Sequence, residues 1–117
     1  MKIKLDALDR LFSLYIRKRA RGYCERCKRY FGVERLQCSH FYGRRARSVR
    51  YDPDNACALC FSCHIYLGEN PREHTRFFRD RLGDRLDQLE ARWSIPQKPD
   101  RQAIRLWLKE ELKKYET

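Results

Sequence analysis

Apolar residues recur at helical spacing at both ends of the chain. In residues 4–20 they follow the three- and four-residue steps of an amphipathic helix, at Leu5, Leu8, Leu11, Phe12, Tyr15 and Ile16. This stretch ends in Arg and Lys residues and then Gly22, which suit the C-terminus of a helix. A last helix is predicted from about Arg101 to Tyr115, where Ile104, Trp107, Leu108 and Leu112 repeat the spacing.

A further helical stretch is predicted after residue 69. Asn70 is a candidate N-cap, Pro71 suits the first helical position and Glu73 suits the third. The apolar positions that follow keep helical spacing, at Phe77, Phe78, Leu82, Leu86 and Leu89. Gly83 predicts a break within this stretch, and "SIPQKPD" at 94–100 predicts a linker.

The middle of the chain has shorter patterns. "YCERCKRY" at 23–30 is too short for a regular element and predicts a cysteine-paired turn, here called the knuckle. Partial alternation in "VERLQCSHF" at 33–41 predicts a strand, and a second short strand is predicted around Ser48 to Tyr51. Residues 55–67 predict a short helix capped by Asp54 or Asn55. The fold class is therefore α+β, in one domain spanning residues 1–117.

Charge is concentrated in one part of the chain. The net charge is +11, and between Arg17 and Arg50 twelve Lys and Arg face only Glu25 and Glu34. Residues 51–117 hold twelve charges of each sign. A basic block beside a neutral remainder indicates a surface for a polyanion such as nucleic acid.

The longest apolar run, "ACALCF", has six residues, so no membrane span is predicted. The first residues do not have the pattern of a secretory signal, which predicts a cytoplasmic protein. Six cysteines in such a protein favour reduced thiols and metal binding over disulfides.

Four of these cysteines have the spacing of a zinc site. Cys24-x-x-Cys27 and a second C-x-x-C some thirty residues later supply the soft thiolates that a structural zinc binds. The second pair is either Cys57/Cys60 or Cys60/Cys63, and spacing does not separate them because residues three apart share a helix face. Alternatively the thiols are buried as small apolar residues. Cys38 is a further thiol, expected on a strand.

Residues 22–67 contain "CSHFYG" at 38–43, Asn55 and "LCFSCH" at 59–64. In this combination the segment resembles the HNH nucleases of the His-Me finger, or ββα-metal, superfamily. It implies a two-stranded antiparallel hairpin and a helix, with the four-cysteine zinc ribbon of phage and bacterial members. Residues 1–21 would be an N-terminal helix and 68–117 a helical extension. In this family the Asn stands five residues before the first cysteine of the second C-x-x-C pair, and the His directly follows the second cysteine of that pair. This register assigns zinc to Cys24, Cys27, Cys60 and Cys63, with Cys57 and Cys38 left free.

The resemblance also implies an activity, that of a metal-dependent DNA endonuclease or nickase. His40 would be the general base, and His64 would bind a catalytic divalent ion, Mn²⁺ or Mg²⁺. Asn55 would hold the loop through backbone hydrogen bonds. Four arginines would grip DNA phosphates with little sequence specificity: Arg44, Arg45, Arg47 and Arg50.

Ser39 departs from the family pattern. Members often carry Asp or His directly before the general base, as a second ligand of the catalytic ion. The Ser39 hydroxyl is a weak ligand, and Asp52 and Asp54 are the nearest carboxylates that could substitute. Because imidazole ligation suits Mn²⁺ better than Mg²⁺, weak and Mn²⁺-preferring activity is expected.

Two other functions fit the same sequence. One is a zinc-stabilised nucleic-acid-binding module without catalysis, and the other is a protein-interaction zinc domain with the helical tail as its interface. The amphipathic first and last helices suit a homodimer interface, and they equally suit the core of a monomer.

Overall fold

The computed structural model describes residues 4–116, which form five α-helices and one two-stranded antiparallel sheet. The elements are α1 (Ala7–Arg19), β1 (Gln37–His40), β2 (Ala56–Leu59), α2 (Phe61–Glu69), α3 (Pro71–Leu82), α4 (Arg85–Ser94) and α5 (Arg101–Lys113). Single 3₁₀ turns occur at Val33–Arg35, Arg47–Val49 and Pro53–Asn55. The α+β class predicted from the sequence is confirmed.

The two end helices form as their patterns predict and pack on each other. Asp6 caps α1, and its carboxylate accepts a hydrogen bond from the Asp9 amide while Asp9 accepts one from the Asp6 amide. This reciprocal capping satisfies two amides that the first turn of a helix leaves unpaired. The apolar face of α1 is buried, and α5 covers α1 with Trp107 edge-on to Tyr15 at 5.3 Å between ring centroids.

The second strand is not where the sequence pattern placed it. β1 pairs with β2, with Gln37 opposite Leu59 and His40 opposite Ala56. The strand predicted around Ser48 to Tyr51 is wrong, since Arg47–Val49 forms a 3₁₀ turn. Two backbone carbonyls in this region have side-chain partners and do not take part in strand pairing. The Val49 carbonyl accepts a hydrogen bond from the Asn55 side chain, and the Arg50 carbonyl accepts one from the His40 ring.

The helix predicted over residues 55–67 is wrong in its first half. Residues 56–59 form β2, and α2 begins only at Phe61, with Cys60 as its N-cap. All four residues of β2 are buried. A strand covered on both faces shows no polar–apolar alternation, so a short apolar run of this kind does not distinguish strand from helix.

The C-terminal helices follow the sequence more closely. Pro71 opens α3 and Gly83 separates α3 from α4, as predicted, and residues 95–100 form the linker to α5. Asn70 does not cap α3 through its side chain. Its Nδ2 donates to the Tyr66 carbonyl near the end of α2. Among residues 4–116 no helix has the length and apolar character that crossing a membrane requires.

Gly22 allows the chain to turn sharply from α1 into the knuckle. Its φ of +86° is in the left-handed region, and its carbonyl accepts hydrogen bonds from the amides of Phe31 and Gly32. A Cβ at this position would lie 2.7 Å from Cε1 of Tyr30 and 3.1 Å from Cα of Gly32. A Cβ here would therefore force the Tyr30 ring to move and would crowd the Gly32 backbone, in addition to the strain of a left-handed φ.

We expect Gly22→Ala to lower the free energy of unfolding by about 2–4 kcal/mol, because it adds backbone strain to a steric clash. Urea denaturation at a fixed zinc concentration measures this loss. Gly43→Ala is the matched control, since a Cβ at Gly43 meets no atom within 4 Å. Equal effects of the two substitutions would contradict this account of the knuckle.

Candidate metal centre and histidine site

Four thiols from two distant segments meet beside the sheet. The Sγ atoms of Cys24, Cys27, Cys60 and Cys63 all lie within 4.8 Å of one another. The knuckle supplies the first two, and the junction of β2 and α2 supplies the other two. Cys60 lies directly before α2 and Cys63 in its first turn, so the C-x-x-C pair spans the start of the helix. Cys57 is not part of the cluster.

The cluster has the chemistry and dimensions of a structural zinc site. A tetrahedral zinc with Zn–S bonds of about 2.3 Å separates its sulfurs by about 3.8 Å. The Sγ atoms of Cys27 and Cys60 are 4.0 Å apart. Within residues 4–116 this is the one group of three or more potential metal ligands. The four thiols can therefore hold a metal ion such as zinc.

The thiols differ in how readily they ionise. Burial opposes ionisation of Cys24, but hydrogen bonds from the backbone of Cys27, Cys60 and Arg26 outweigh it and lower its pKa to about 7. Burial raises the pKa of Cys63 to about 12, although Nη1 of Arg26 donates to its Sγ at 3.4 Å. Zinc binds thiolates, so metal binding displaces these protons and is coupled to pH.

The two remaining cysteines lie in the sheet as small apolar side chains. Cys57 is on β2 and Cys38 on β1. Burial raises the pKa of Cys38 to about 12 and that of Cys57 well above its usual value. Both thiols are therefore protonated at neutral pH. A protonated thiol is a poor metal ligand.

We expect the purified wild-type chain to contain about one zinc ion per molecule, because a four-thiolate cluster holds one ion. Cys63→Ser should lose this zinc, whereas Cys57→Ser should retain it because Cys57 lies outside the cluster. Elemental analysis after dialysis measures the metal content. Loss of zinc from Cys57→Ser with retention in Cys63→Ser would show that the other C-x-x-C pair binds the metal.

The structure assigns the proton on the His40 ring. His40 is the last residue of β1, and its Nε2 lies 3.1 Å from the Arg50 carbonyl oxygen. A carbonyl only accepts hydrogen bonds, so Nε2 carries the proton and Nδ1 carries the lone pair. Nδ1 is buried and has no hydrogen-bond partner within residues 4–116. His40 therefore has an unpaired basic nitrogen.

Burial keeps the His40 ring neutral. Burial is the main cause that lowers its pKa to about 4, and the positive charge of Arg44 lowers it further. The Phe12 ring packs on His40 with 5.7 Å between centroids, which contributes to this apolar surrounding. The imidazole is therefore unprotonated at neutral pH.

Asn55 ties the ends of the segment between the strands to each other. Its side chain is fully buried, and Oδ1 accepts a hydrogen bond from the Tyr42 amide at 2.8 Å. Nδ2 donates to the carbonyls of Tyr42 at 2.9 Å and Val49 at 3.0 Å. These bonds hold the segment that contains the basic loop, residues 43–50, next to the end of β1.

His64 lies on α2 and lines an open cavity of about 460 Å³. Residues of α1 form one wall, including Asp9, and Cys38 and Arg44 contribute to the other sides. His64 and Asp9 therefore line one cavity, which does not include His40.

Asp9 is a site residue that sequence reasoning missed. Its side chain is 3% exposed and accepts hydrogen bonds from Arg50, at 2.9 Å from Nε and 2.5 Å from Nη2. Nε of Arg44 lies 3.8 Å away. In the sequence Asp9 has the spacing of a helix-capping residue. Its contacts with Arg44 and Arg50 join residues more than thirty positions apart, so no local pattern indicates them.

The carboxylates and hydroxyl expected near the catalytic ion lie elsewhere. Ser39 pairs with Cys57, and neighbouring strand residues point to opposite faces, so Ser39 faces away from His40. Asp52 and Asp54 both contact Arg92 of α4. None of the three lines the His64 cavity.

The four arginines of the basic loop have different surroundings. Arg50 is 14% exposed and bound to Asp9, and Arg44 is partly buried near the same carboxylate. Arg45 and Arg47 are exposed. Arg44 thus lies near both histidines and Arg50 near His40, whereas Arg45 and Arg47 lie on the surface.

His40 predicts acid sensitivity of the fold. Its pKa is lower in the folded state, about 4, than the ordinary value of 6.5, so protons bind the unfolded chain more readily. Its contribution to stability is complete above pH 6.5 and is lost as the pH falls through 4. Relative to His40→Gln, the wild type should lose up to about 3 kcal/mol of unfolding free energy between pH 7 and pH 4.

Urea denaturation of both proteins across this pH range measures the difference. Gln keeps an N–H group for the Arg50 carbonyl but does not titrate, and acid release of a cysteine-bound metal affects both proteins alike. A difference that stays constant with pH would refute the assignment of a buried neutral His40.

Comparison with protein-family models, with curated proteins and with solved structures finds no match to this chain.

Proposed function

We propose that this chain is a metal-dependent DNA endonuclease that nicks phosphodiester bonds, with His40 as the general base and His64 as a ligand of the catalytic ion. The observation that carries the proposal is the His40 ring, with Nε2 bonded to a backbone carbonyl and Nδ1 unpaired. Arg44 of the basic loop supports it, because its positive charge acts on both His40 and His64.

His40 has the hydrogen bonding of a base that takes a proton from water, and catalysis would require water to reach Nδ1, which is buried in this structure. The bond from Nε2 to the Arg50 carbonyl orients the ring and stabilises the positive charge that forms when Nδ1 is protonated. A pKa of about 4 makes the free base weak. A bound phosphate would raise this pKa, because a nearby negative charge favours the protonated imidazole.

Arg44 is suited to hold that phosphate. Its positive charge lowers the pKa of His40 more than that of Arg50 does, and its Nε is buried without a hydrogen-bond partner among residues 4–116. The guanidinium N–H groups match the geometry of phosphate oxygens. A phosphate bound here would compete with Asp9 for Arg44 and would lie close to the base.

His64 would hold the ion through a ring nitrogen, with water and substrate oxygens as further ligands. When bound, a divalent ion neutralises charge on the phosphate and assists the leaving oxygen. His64 and Asp9 line the same cavity, but the Asp9 carboxylate is already bonded to Arg50. With one imidazole as the main protein ligand, binding is weak and favours Mn²⁺ over Mg²⁺.

The alternative is a zinc-stabilised nucleic-acid-binding module without catalysis. The observation that favours it is the orientation of Ser39, which leaves His64 without the second ligand expected from β1. The basic loop would then bind phosphates without cleaving them. Only a measurement of cleavage separates the two functions.

We expect the wild-type protein to nick supercoiled plasmid in Mn²⁺, more slowly in Mg²⁺, and not at all in EDTA. His40→Gln and His40→Ala should lower the rate at least about 100-fold, because a positioned general base contributes a factor of this order. Conversion of supercoiled to open-circular plasmid on a gel measures the rate.

His74→Ala is the matched histidine control. His74 is half-buried on α3 and stacks on Phe41, 5.5 Å away; it lies within electrostatic range of His64, but the proposal gives it no part in proton transfer or metal binding. Equal nicking by wild type and both His40 variants would reject catalysis by His40. Faster nicking in Mg²⁺ than in Mn²⁺ would reject the imidazole-ligated ion.

A further inference from the structure

A groove runs between the basic loop and the segment that links α4 to α5. It consists of three adjoining cavities of about 430, 300 and 440 Å³. Arg47 and Lys98 line all three cavities, and Trp93 lines the first. This surface, here called the Trp93 groove, is separate from the cavity that His64 lines.

The groove carries unneutralised positive charge. Arg47 and Lys98 are exposed, and neither forms an ion pair with a residue in the 4–116 range that the structure covers. The acids that line the groove are already engaged. Asp52 is bound to Arg92 at 2.6 Å, and the Asp100 side chain caps α5 by accepting a hydrogen bond from the Ala103 amide.

Trp93 adds a rigid aromatic surface to this charge. Its ring stacks on Tyr42 with 4.7 Å between centroids and 4° between planes. The Trp93 carbonyl accepts a hydrogen bond from the Ser48 hydroxyl at 3.3 Å, which ties this end of α4 to the basic loop. Trp93 is nevertheless 44% exposed. Tyr42 covers one face of the indole, and Trp93 is among the residues that line the first cavity.

We propose that the Trp93 groove binds unpaired nucleotides of a DNA strand, with a base stacked on Trp93 and phosphates bound by Arg47 and Lys98. The inference rests on the proposed function, because it takes DNA as the substrate. Flat aromatic rings beside cations are the features with which proteins bind single strands independently of sequence. A base inside a duplex has both faces covered by its neighbours, so only an unpaired base can stack on Trp93.

The groove gives the enzyme a preference for substrate structure. Asn55 hydrogen-bonds to Tyr42, on which Trp93 stacks, and to Val49 of the basic loop. Tyr42 follows His40 by two residues, so these bonds connect the groove to the end of β1. A strand held in the groove is therefore held at a set position relative to the base. DNA with single-stranded or locally unpaired segments should be bound in preference to continuous duplex.

The test is binding of a fluorescein-labelled thymidine oligonucleotide, followed by anisotropy without added divalent ions. Trp93→Ala should weaken binding about fivefold or more, the loss typical of removing one stacked base. Trp93→Phe, which keeps a ring, should retain most of the affinity. Trp107→Ala is the matched control, because Trp107 is 43% exposed and packs on a tyrosine but lies outside the groove.

An oligonucleotide of abasic residues separates stacking from charge. It keeps the phosphates and lacks the bases, so Trp93→Ala and wild type should bind it equally. Arg47→Gln and Lys98→Gln should each reduce the salt dependence of binding to both oligonucleotides, by about 0.7 in the slope of log affinity against log salt concentration.

The outcomes distinguish the groove from the catalytic proposal. If Trp93→Ala binds the thymidine oligonucleotide as tightly as wild type, or Trp107→Ala is equally impaired, the groove is refuted even when plasmid is nicked. If binding depends on Trp93 but no nicking occurs in Mn²⁺, the groove stands and the nuclease proposal fails.

Discussion

Four thiols from two segments determine how the centre of this chain is arranged. The knuckle contributes Cys24 and Cys27, and the junction of β2 and α2 contributes Cys60 and Cys63. Glu25 strengthens the same attachment, since its amide donates to the Ala58 carbonyl and its carboxylate accepts from the Ala58 amide. A metal ion held here would contribute its binding free energy to folding, because the site exists only when both segments are in place.

From this anchor the structure positions His40 through contacts with backbone. β2 aligns β1, the side chain of Asn55 closes the segment between the strands, and the Arg50 carbonyl binds the His40 ring. The Arg50 side chain is in turn bound to Asp9 of α1. Arg50 therefore contacts the His40 ring through its backbone and the first helix through its side chain.

The net charge overstates the number of basic side chains that are free to bind a polyanion. Several arginines form ion pairs within the fold, among them Arg50 with Asp9, Arg81 with Glu25 and Arg92 with Asp52. The cations left on the surface include Arg47 and Lys98, which come from segments far apart in sequence. A linear count of charge located the basic loop, but it did not show that Arg50 faces inward or that Lys98 of the neutral half completes the groove.

Local patterns were sufficient where neighbours along the chain make the structure. The helices α1 and α5, the break at Gly83 and the paired cysteines were predictable, because helical spacing, capping residues and turn glycines act over a few residues. The identity of the second strand and the start of α2 were not. A four-residue apolar run becomes strand only because β1 lies beside it, and the thiol cluster contains Cys63 rather than Cys57 because the chain between Ala56 and Leu59 is extended. The environment of His40, the placement of Asp9 and the exposure of Trp93 depend on packing between distant segments, and no local pattern carries that information.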